Sequence, residues 1–463
     1  MDILYSADQC GAGKTTWALD RMAGEPGRYV FVVDKMAMVK TRRAELLERA
    51  ERLGLTLHIE VIISDDDLKG DWSVGRRIQE AGADLSGNQH VVVIVTHAGM
   101  TRCRDWRGYA LWDAIIVDEV PSVLEREDHA GGRFNARALS GFYGLAPTDV
   151  PGISTVTLID DLTLNEVPED WRAFHRRIAR GETLCNISAW SDLTDVASWF
   201  SWRMWNVREA LDGVFGEIVF LADAFDQSET FHLMSLDRQV HFKRFRVASP
   251  RAWAPRPVTI RYVSEERRAA SSRFKSEDHA ADMAKVWDWL ALETDPFHLW
   301  TANAGVTVTA EIAGKRVTPK QAGSNEWMAW HKASAVYAAK PSPNERRFYA
   351  ILGIEADVIV ASREAYDLNQ FFMRTSLRDP TSTAPVELRC FDRTQAETFA
   401  AKLAEGYGLD AELVLDDIAL DLSEVRKGGR PPKNGRTRQT PEERRTADAA
   451  RKKRQRQAKK KAA

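Results

Sequence analysis

The sequence predicts an α/β protein with two tandem, doubly wound parallel sheets, and three observations support this fold class. Short runs rich in valine and isoleucine alternate with charged, helix-like stretches over the first 120 residues. The same alternation resumes after residue 258. Uninterrupted apolar runs between helices are typical of parallel strands that are buried on both faces. The length of 463 residues leaves room for both sheets, since a domain takes about 150 residues.

Changes in composition divide the chain into four predicted parts. Residues 1–248 form a first α/β domain, which a helical insertion interrupts at about 125–216. The proline-rich stretch at 249–258 is a predicted linker, because prolines interrupt helices and strands. Residues 259–425 form a second α/β domain, and residues 426–463 form a basic tail that is predicted to be disordered.

Apolar runs mark the strands of the first domain in order. Helix-like stretches such as TTWALDRM and VKTRRAELLERAERLG separate them, as in βαβ units. The predicted strands are DILYS (2–6), YVFVVD (29–34), LHIEVII (57–63), HVVVIVTH (90–97), DAIIVDE (113–119) and GEIVFLADAF (216–225).

The insertion carries four tryptophans at mostly helical spacing, which predicts helices there. Two interpretations of this stripe are open: a platform on which bases stack, or the packed core of the insertion. The core is favoured, because aromatic stripes usually pack inside a protein. The four residues are Trp190, Trp199, Trp202 and Trp205.

The second domain repeats the alternation of strands and helices. The stretch AADMAKVWDWLAL is predicted to be a helix. Strand-like runs surround it, and they are VTIRYV, FHLWTAN, ASAVYAA, ADVIVAS and VELRCFD.

Composition and charge exclude several classes of protein. The four cysteines lie far apart without CxxC spacing, which argues against a zinc cluster or a disulfide framework. No run approaches the length of about 18 apolar residues that a membrane span needs, so we expect a cytoplasmic protein without a membrane partner. Residues 426–463 hold 16 Lys/Arg and three Asp/Glu in a chain of net charge −2, which predicts a polyanionic partner for the tail.

The loop SADQCGAGKTT at 6–16 follows the first predicted strand and precedes a predicted helix. In this arrangement glycines turn backbone N–H groups toward phosphate oxygens, the lysine reaches the β- and γ-phosphates, and the hydroxyl after it holds Mg²⁺. Asp8 stands where this pattern prefers a small residue. The sequence therefore predicts a nucleotide site formed by Gly11, Ala12, Gly13, Lys14, Thr15 and Thr16.

Two carboxylates end the predicted strand AIIVDE. Asp118 is placed to complete the Mg²⁺ site with Thr15, and Glu119 is placed to polarise an attacking water. Together with the glycine loop, this pair predicts hydrolysis of a nucleoside triphosphate.

A third group of polar residues lies in the second domain. Gln370, Arg374 and Arg378 are four residues apart, which predicts one face of a helix. Guanidinium groups that reach a γ-phosphate from another domain act as arginine fingers. We therefore assign catalytic roles to these three residues and to Glu119.

These motifs resemble those of superfamily 2 helicases, in particular the divergent helicase-like ATPases of phages and mobile elements. DQCGAGKT is similar to motif I, VDEV to motif II and QFFMRTSLRD to motif VI. FLADAF takes the place of motif III, AGSNE (322–326) resembles motif V, and THAGM (96–100) resembles a motif that touches nucleic-acid backbone. Motif III departs from the family, with Ala222-Asp223-Ala224 in place of Ser-Ala-Thr.

The resemblance implies two RecA-like domains with ATP and Mg²⁺ bound between them. It implies a helicase or translocase on nucleic acid, DNA in preference to RNA, with Thr96 and His97 as phosphate contacts. It further implies the cytoplasm of a bacterium or a phage-infected host, and replication proteins as additional partners.

The tail contains RKGGRPPKNGR (426–436), which resembles an AT-hook that lies in a narrow minor groove. Arg430, Lys433 and Arg436 are then the predicted contacts to DNA. A nonspecific tether to phosphates is the other interpretation of this stretch.

Two other functions are compatible with the glycine loop. A DNA-binding regulatory or packaging-type NTPase would hydrolyse ATP without unwinding, although a packaging motor would add a nuclease with clustered acids. Asp65-Asp66-Asp67 is interpreted as a solvated loop and not as such a cluster. A small-molecule P-loop kinase is less consistent with the arginines of the second domain.

Overall fold

The computed structural model describes residues 1–63, 74–159, 164–247, 252–292, 295–319 and 326–421. The chain begins with a series of parallel strands that are joined by helices. The strands are β1 (Asp2–Ser6), β2 (Arg28–Val33), β3 (His58–Ile62), β4 (Val91–Thr96) and β5 (Trp112–Asp118). The helices are α1 (Lys14–Gly24), α2 (Met36–Arg52), α3 (Val74–Asp84) and α4 (His97–Arg102).

The insertion is built on an antiparallel sheet, so the prediction of a helical insertion is wrong. Its strands are β6 (Leu124–Ala130), β7 (Tyr143–Pro147), β8 (Ser154–Leu158), β9 (Thr183–Cys185) and β10 (Ser198–Met204), in the spatial order β6-β10-β9-β8-β7. The helices of this region are α5 (Arg133–Leu139), α6 (Arg172–Arg180) and α7 (Val207–Leu211).

The spacing of the tryptophans predicted helices, but Trp199 and Trp202 lie on opposite faces of a strand. Trp199 packs with Phe174 of α6 on one face of the insertion sheet. Phe200 and Trp202 pack on the opposite face, as the period of two requires for β10. Trp199, Trp202 and Trp205 are buried, which confirms the interpretation of the stripe as core.

The chain then returns to the first sheet with β11 (Phe215–Leu221), α8 (Glu229–Met234) and β12 (His241–Arg244). The strand order is β12-β1-β11-β5-β2-β4-β3, and all of its pairs are parallel. Val30 and Val32 face one hydrophobic core, whereas Phe31 and Val33 face the other. Helices therefore cover both faces of this sheet, which explains its uninterrupted apolar strands.

A second parallel sheet follows, in the order β15-β14-β16-β17-β13-β18. The predicted α/β class with two parallel sheets is confirmed. The strands are β13 (Val258–Tyr262), β14 (His298–Ala302), β15 (Lys315–Arg316), β16 (Lys332–Val336), β17 (Val386–Arg389) and β18 (Ala411–Leu415). The helices are α9 (Ser271–Lys275), α10 (Ala280–Leu292), α11 (Pro343–Ile351), α12 (Ala356–Val360), α13 (Tyr366–Phe372) and α14 (Arg393–Tyr407).

The run ADVIVAS is helical, although its β-branched residues predicted a strand. It forms α12, continues through a π-helical turn at Ala361–Ala365 and leads directly into α13. Ile359 is buried against the insertion sheet. A short apolar run has no period that separates a strand from a helix, so tertiary packing determines the outcome.

The predicted linker is docked where the structure describes it. Trp253 is buried in the core of the second sheet, and its ring N–H donates a hydrogen bond to the Leu377 carbonyl (3.0 Å). Arg256 donates to the carbonyls of Ser376 (2.7 Å) and Asp379 (2.5 Å). Residues 252–257 thus hold the segment that follows α13.

We call the first sheet with its helices the first lobe, and the second sheet with its helices the second lobe. Both belong to one compact unit, Met1–Leu420. The insertion joins them, because Phe200 and Trp202 of β10 pack against Phe348 of α11. Within the described parts of the chain, no helix is long and apolar enough to cross a membrane.

A buried histidine predicts a loss of stability in mild acid. Burial, aided by the nearby Arg389, lowers the pKa of His298 to about 4, whereas histidine in an unfolded chain titrates near 6.5. Between these values the unfolded chain binds a proton that the folded chain does not. We therefore expect the free energy of unfolding to fall by ~1.4 kcal/mol per pH unit below about pH 6.5 on account of this residue.

Urea unfolding of the wild type and of His298→Gln between pH 7 and pH 5 measures this effect. The variant is expected to show a flatter dependence on pH, while His58→Gln, at an exposed position of β3, keeps the wild-type slope. Parallel profiles for the wild type and His298→Gln would contradict the assignment.

Candidate functional site

The loops that carry the predicted residues leave the first sheet at one edge. Ser6 pairs with Leu221, and Leu221 pairs with Asp118. Val33 pairs with Thr96 in the other half of the sheet. The carboxyl ends of these parallel strands are therefore level, which is where ligands bind in open α/β sheets.

The glycine loop has the backbone that its sequence requires. Gly11 and Gly13 have φ of 81° and 87°, in the left-handed region that favours glycine. Gly13 caps α1, whose first residue is Lys14. The Lys14 ammonium is buried and donates to the carbonyls of Asp8 (2.5 Å) and Gln9 (3.0 Å), so the loop folds around the lysine.

The Asp8 side chain is engaged away from the lysine ammonium. One of its carboxylate oxygens accepts hydrogen bonds from the Ser6 hydroxyl and the Val247 N–H, both at 2.9 Å. Only the Asp8 backbone carbonyl contacts Lys14. The acidic residue at this position is therefore compatible with phosphate binding.

Thr15 and Asp118 meet as the sequence predicted. The Thr15 hydroxyl lies 3.0 Å from both carboxylate oxygens of Asp118. Burial and the adjacent Glu119 raise the pKa of Asp118 to about 7. One hydroxyl and one carboxylate fit Mg²⁺, which keeps several waters and takes its remaining ligands from phosphates.

Glu119 is held in an unusual backbone conformation. Its φ of 69° is rare for a residue with a side chain, and costs roughly 1–3 kcal/mol. The Glu119 N–H donates to the Leu221 carbonyl (2.9 Å), and its side chain accepts a hydrogen bond from the Tyr366 hydroxyl (2.8 Å). A residue of the second lobe therefore touches the predicted catalytic carboxylate.

Gln370, Arg374 and Arg378 do not share one helix face, which corrects the prediction from their spacing. Helix α13 ends at Phe372, and Arg378 lies in a separate 3-10 helix, Ser376–Arg378. The Ser376 N–H bonds to the Trp330 carbonyl (2.9 Å), so a tertiary contact draws the backbone out of the helix.

Two of the three residues nevertheless lie opposite the glycine loop. Gln370 and Arg378 line one cavity with Lys14, Thr15 and Asp118. Its volume is about 560 Å³. A Cβ atom built on Gly11 would lie 4.0 Å from the Arg378 carbonyl oxygen and 4.0 Å from the Trp253 ring.

The other predicted residues of the loop divide between two cavities. Gly11, Gly13, Thr16 and Glu119 line the same cavity as Lys14. Ala12 faces a second cavity of about 490 Å³ on the other side of the loop.

Arg374 is a buried cation, and two of its three guanidinium nitrogens are unpaired in the described structure. It is 1% exposed, and its Nε and one terminal nitrogen have no hydrogen-bond partner there. Burial, together with the neighbouring Arg378, lowers the pKa of Arg374 to about 10. It lines a third cavity of about 670 Å³, which shares Glu119 and Gln370 with the glycine-loop cavity.

Thr96 and His97 form internal hydrogen bonds, and their role as phosphate contacts stays a prediction. The Thr96 hydroxyl caps α4 by accepting from the Gly99 N–H (3.2 Å). The His97 ring is buried and bonds to the Asp118 carbonyl (2.8 Å), and burial lowers its pKa. His97 thus supports the strand end that carries Asp118.

Sequence reasoning missed a polar cluster around Asp223. This residue, 2% exposed, accepts hydrogen bonds from Asn369 (2.5 Å) and Lys402 (2.8 Å) of the second lobe. Cys10 of the glycine loop lies 3.7 Å from the same carboxylate oxygen, and burial raises the pKa of its thiol to about 12. Asp223, where the sequence departs from motif III, therefore forms a contact between the lobes.

Arg42 was also missed. It lines the glycine-loop cavity from α2, and it forms an ion pair with Glu45 (2.7 Å). Arg42 lies in the second turn of α2, the helix that follows β2. Its place at the cavity depends on how α2 packs, and no local sequence motif marks it.

Several predictions lie outside the described residues. They are Asp65-Asp66-Asp67, the AGSNE stretch up to residue 325, and the tail with Arg430, Lys433 and Arg436.

Comparison with known proteins gives a weak structural likeness and no family. No protein-family model matches the chain, and no curated protein matches it at a significant level. Among solved structures, the chain is similar to a crystal structure of a DEAD box protein from the hyperthermophile Methanococcus jannaschii. The TM-score is 0.26 with 7% sequence identity, over 89% of this chain and 88% of that chain. A TM-score this low carries no argument about activity, so the function below is inferred from the residues of this chain.

Proposed function

We propose that the protein hydrolyses ATP between its two lobes and uses the reaction to move along nucleic acid, as a helicase or translocase. DNA is proposed over RNA, because the Gly-Arg-Pro core of the tail suits a narrow minor groove. The proposal rests on residues of the cavities between the lobes and on the contacts that cross the interface.

The observation that carries the proposal is that Arg378 lines the glycine-loop cavity, while Arg374 is buried beside the adjoining cavity. Burying a guanidinium without a partner is costly, and a second arginine beside it adds repulsion. Phosphate oxygens would satisfy both groups, and Lys14 and Thr15 line the adjoining cavity from the first lobe. Cations that converge on one cavity from two lobes are the arrangement that phosphoryl transfer requires.

Each residue then has a defined task. Lys14 exchanges its two carbonyl partners for the β- and γ-phosphates, and Thr15 with Asp118 would hold Mg²⁺, which neutralises phosphate charge when bound. Glu119 orients the attacking water and accepts its proton. Arg374 and Arg378 stabilise the charge that develops on the γ-phosphate and the leaving oxygen.

Contacts across the interface would couple hydrolysis to movement of the lobes. Asp223 links the end of β11 to Asn369 and Lys402. Glu119 is linked to Tyr366. Because these contacts start at the strand ends that carry the nucleotide site, a change in the bound phosphates would reach the second lobe directly.

Basic residues at the carboxyl edge of the second sheet are the proposed contact to the nucleic-acid backbone. Lys340 follows β16 and donates to the Ala269 carbonyl, which follows β13. Burial lowers the pKa of Lys340 despite the opposing effect of Glu364 and Asp392, and Arg267 and Arg346 add to the lowering. Lys340 lines the cavity between the lobes, and the two exposed arginines lie near enough to influence it.

Reversing two of these charges is expected to weaken binding of a single strand. Arg267→Glu with Arg346→Glu is expected to lower the affinity more than about tenfold and to reduce the salt dependence by about two ions. Fluorescence anisotropy with a labelled oligonucleotide measures both quantities. Arg43→Glu with Arg52→Glu, at exposed positions of α2, is the charge-matched control, and equal losses in the two double variants would contradict this surface.

Steady-state ATP hydrolysis without nucleic acid, with single strands and with duplex tests the proposed function. Stimulation by strands supports a motor, and a strand-displacement assay then separates unwinding from translocation. Hydrolysis that nucleic acid does not affect would favour a regulatory or packaging-type NTPase. A wild-type protein without hydrolysis would refute the proposal.

A further inference from the structure

We propose that Tyr366 is a positioning residue for Glu119, through which the second lobe controls the attack of water. The inference deepens the proposed function and rests on it. In the described hydrogen bonds, the Tyr366 hydroxyl contacts Glu119 and no residue of the glycine loop.

The contact joins the two lobes at the reacting centre. Glu119 directly follows β5 of the first lobe, and Tyr366 is the first residue of α13 in the second lobe. The tyrosine hydroxyl donates to one carboxylate oxygen of Glu119 at 2.8 Å. Among the described residues, the other carboxylate oxygen of Glu119 has no hydrogen-bond partner.

Tyr366 is always the donor in this hydrogen bond. Burial raises the pKa of Tyr366 well above its usual value. The hydroxyl therefore keeps its proton at physiological pH and acts as a donor to the carboxylate.

Both partners are held in place by unusual backbone. Glu119 has φ of 69°, and its N–H is bonded to the Leu221 carbonyl. Tyr366 follows the π-helical turn Ala361–Ala365. One extra residue in a helix rotates every later side chain by about 100°, and such turns occur often at functional sites. The π-helical turn therefore determines the direction in which Tyr366 points.

If the lobes move apart, the hydrogen bond between Tyr366 and Glu119 would break before nucleotide binding is disturbed. Lys14, Thr15 and Asp118 all belong to the first lobe and would retain the nucleotide. Glu119 would lose the group that fixes its side-chain rotamer, so water would be oriented less well. Hydrolysis would then occur only in the arrangement of the lobes that presents Tyr366.

Tyr366→Phe tests the inference, with Tyr349→Phe as the matched control. The Tyr349 hydroxyl also lies at the interface, where it donates to Glu229 and accepts from Arg363 (2.5 Å). We expect Tyr366→Phe to lower kcat about tenfold, with an unchanged Kd for a fluorescent ATP analogue and an unchanged Tm. Tyr349→Phe is expected to keep the wild-type kcat.

A second comparison separates a positioning role from a structural one. In a Glu119→Gln background, measured by single-turnover hydrolysis of radiolabelled ATP, adding Tyr366→Phe is expected to cause no further loss. Independent, multiplicative losses would overturn the inference, as would equal effects of Tyr366→Phe and Tyr349→Phe on kcat. If Lys14→Ala hydrolyses ATP as fast as the wild type, the proposed function itself fails, and that result is distinct from all of these.

Discussion

Lys14→Ala is expected to reduce ATP hydrolysis by a factor of at least about 100, the usual cost of removing one group that stabilises charge in the transition state. The lysine is 9% exposed and sits at the start of α1, where its ammonium can exchange the carbonyls of Asp8 and Gln9 for phosphate oxygens. Phosphate release in steady state, with and without single-stranded DNA, measures the loss. Nucleotide affinity is expected to fall as well, because the same charge binds the ground state.

Lys40→Ala is the control for this variant. Lys40 is exposed on α2 and does not line the glycine-loop cavity, so hydrolysis is expected to stay at the wild-type rate. Retention of hydrolysis in Lys14→Ala would mean that the reaction occurs elsewhere or that a contaminant performs it.

Arg374→Met is expected to lower ATP hydrolysis without lowering the stability of the fold. Loss of an arginine finger costs a factor of about 10³ or more in hydrolysis. The folded protein, in contrast, is expected to keep or gain stability, since the substitution removes a buried cation of which two nitrogens lack partners in the described structure. A residue that lowers stability and raises activity is typical of a functional site.

Arg256→Met provides the comparison for stability. Arg256 is buried nearby, and its guanidinium donates to the carbonyls of Ser376 and Asp379. Removing it deletes one charge-assisted hydrogen bond to each carbonyl, and such a bond is worth about 1.5–3 kcal/mol. Thermal unfolding of both variants measures the difference. If Arg374→Met is destabilised as much as Arg256→Met, Arg374 is a structural residue.

The local parts of the site were predictable because they depend on short stretches of sequence. A strand, a glycine loop and a helix are consecutive in the chain, so Gly11, Gly13 and Lys14 could be assigned without knowledge of the fold. Asp118 could be placed beside Thr15, since both follow parallel strands that end at one edge. The contact of 3.0 Å between them agrees with that reasoning.

The errors arose where distant segments determine local structure. Tryptophan spacing in the insertion matched a helix, yet β10 pairs with β6 and β9 and places Trp199 and Trp202 on opposite faces. Spacing also placed Arg374 and Arg378 on one helix, but the hydrogen bond from Ser376 to Trp330 ends that helix early. In both cases the deciding partner lies far away in the sequence.

By itself, the sequence determined the α/β class, the two parallel sheets and the glycine loop, with Thr15 and Asp118 placed side by side. These features follow from the spacing of hydrophobic residues and from motifs that are only a few residues long. Only the tertiary structure decided that Asp8 turns away from Lys14, that Asp223 bridges the lobes and that Tyr366 holds Glu119. Such contacts join residues far apart in the chain, and their formation depends on how two lobes pack, which no local pattern encodes.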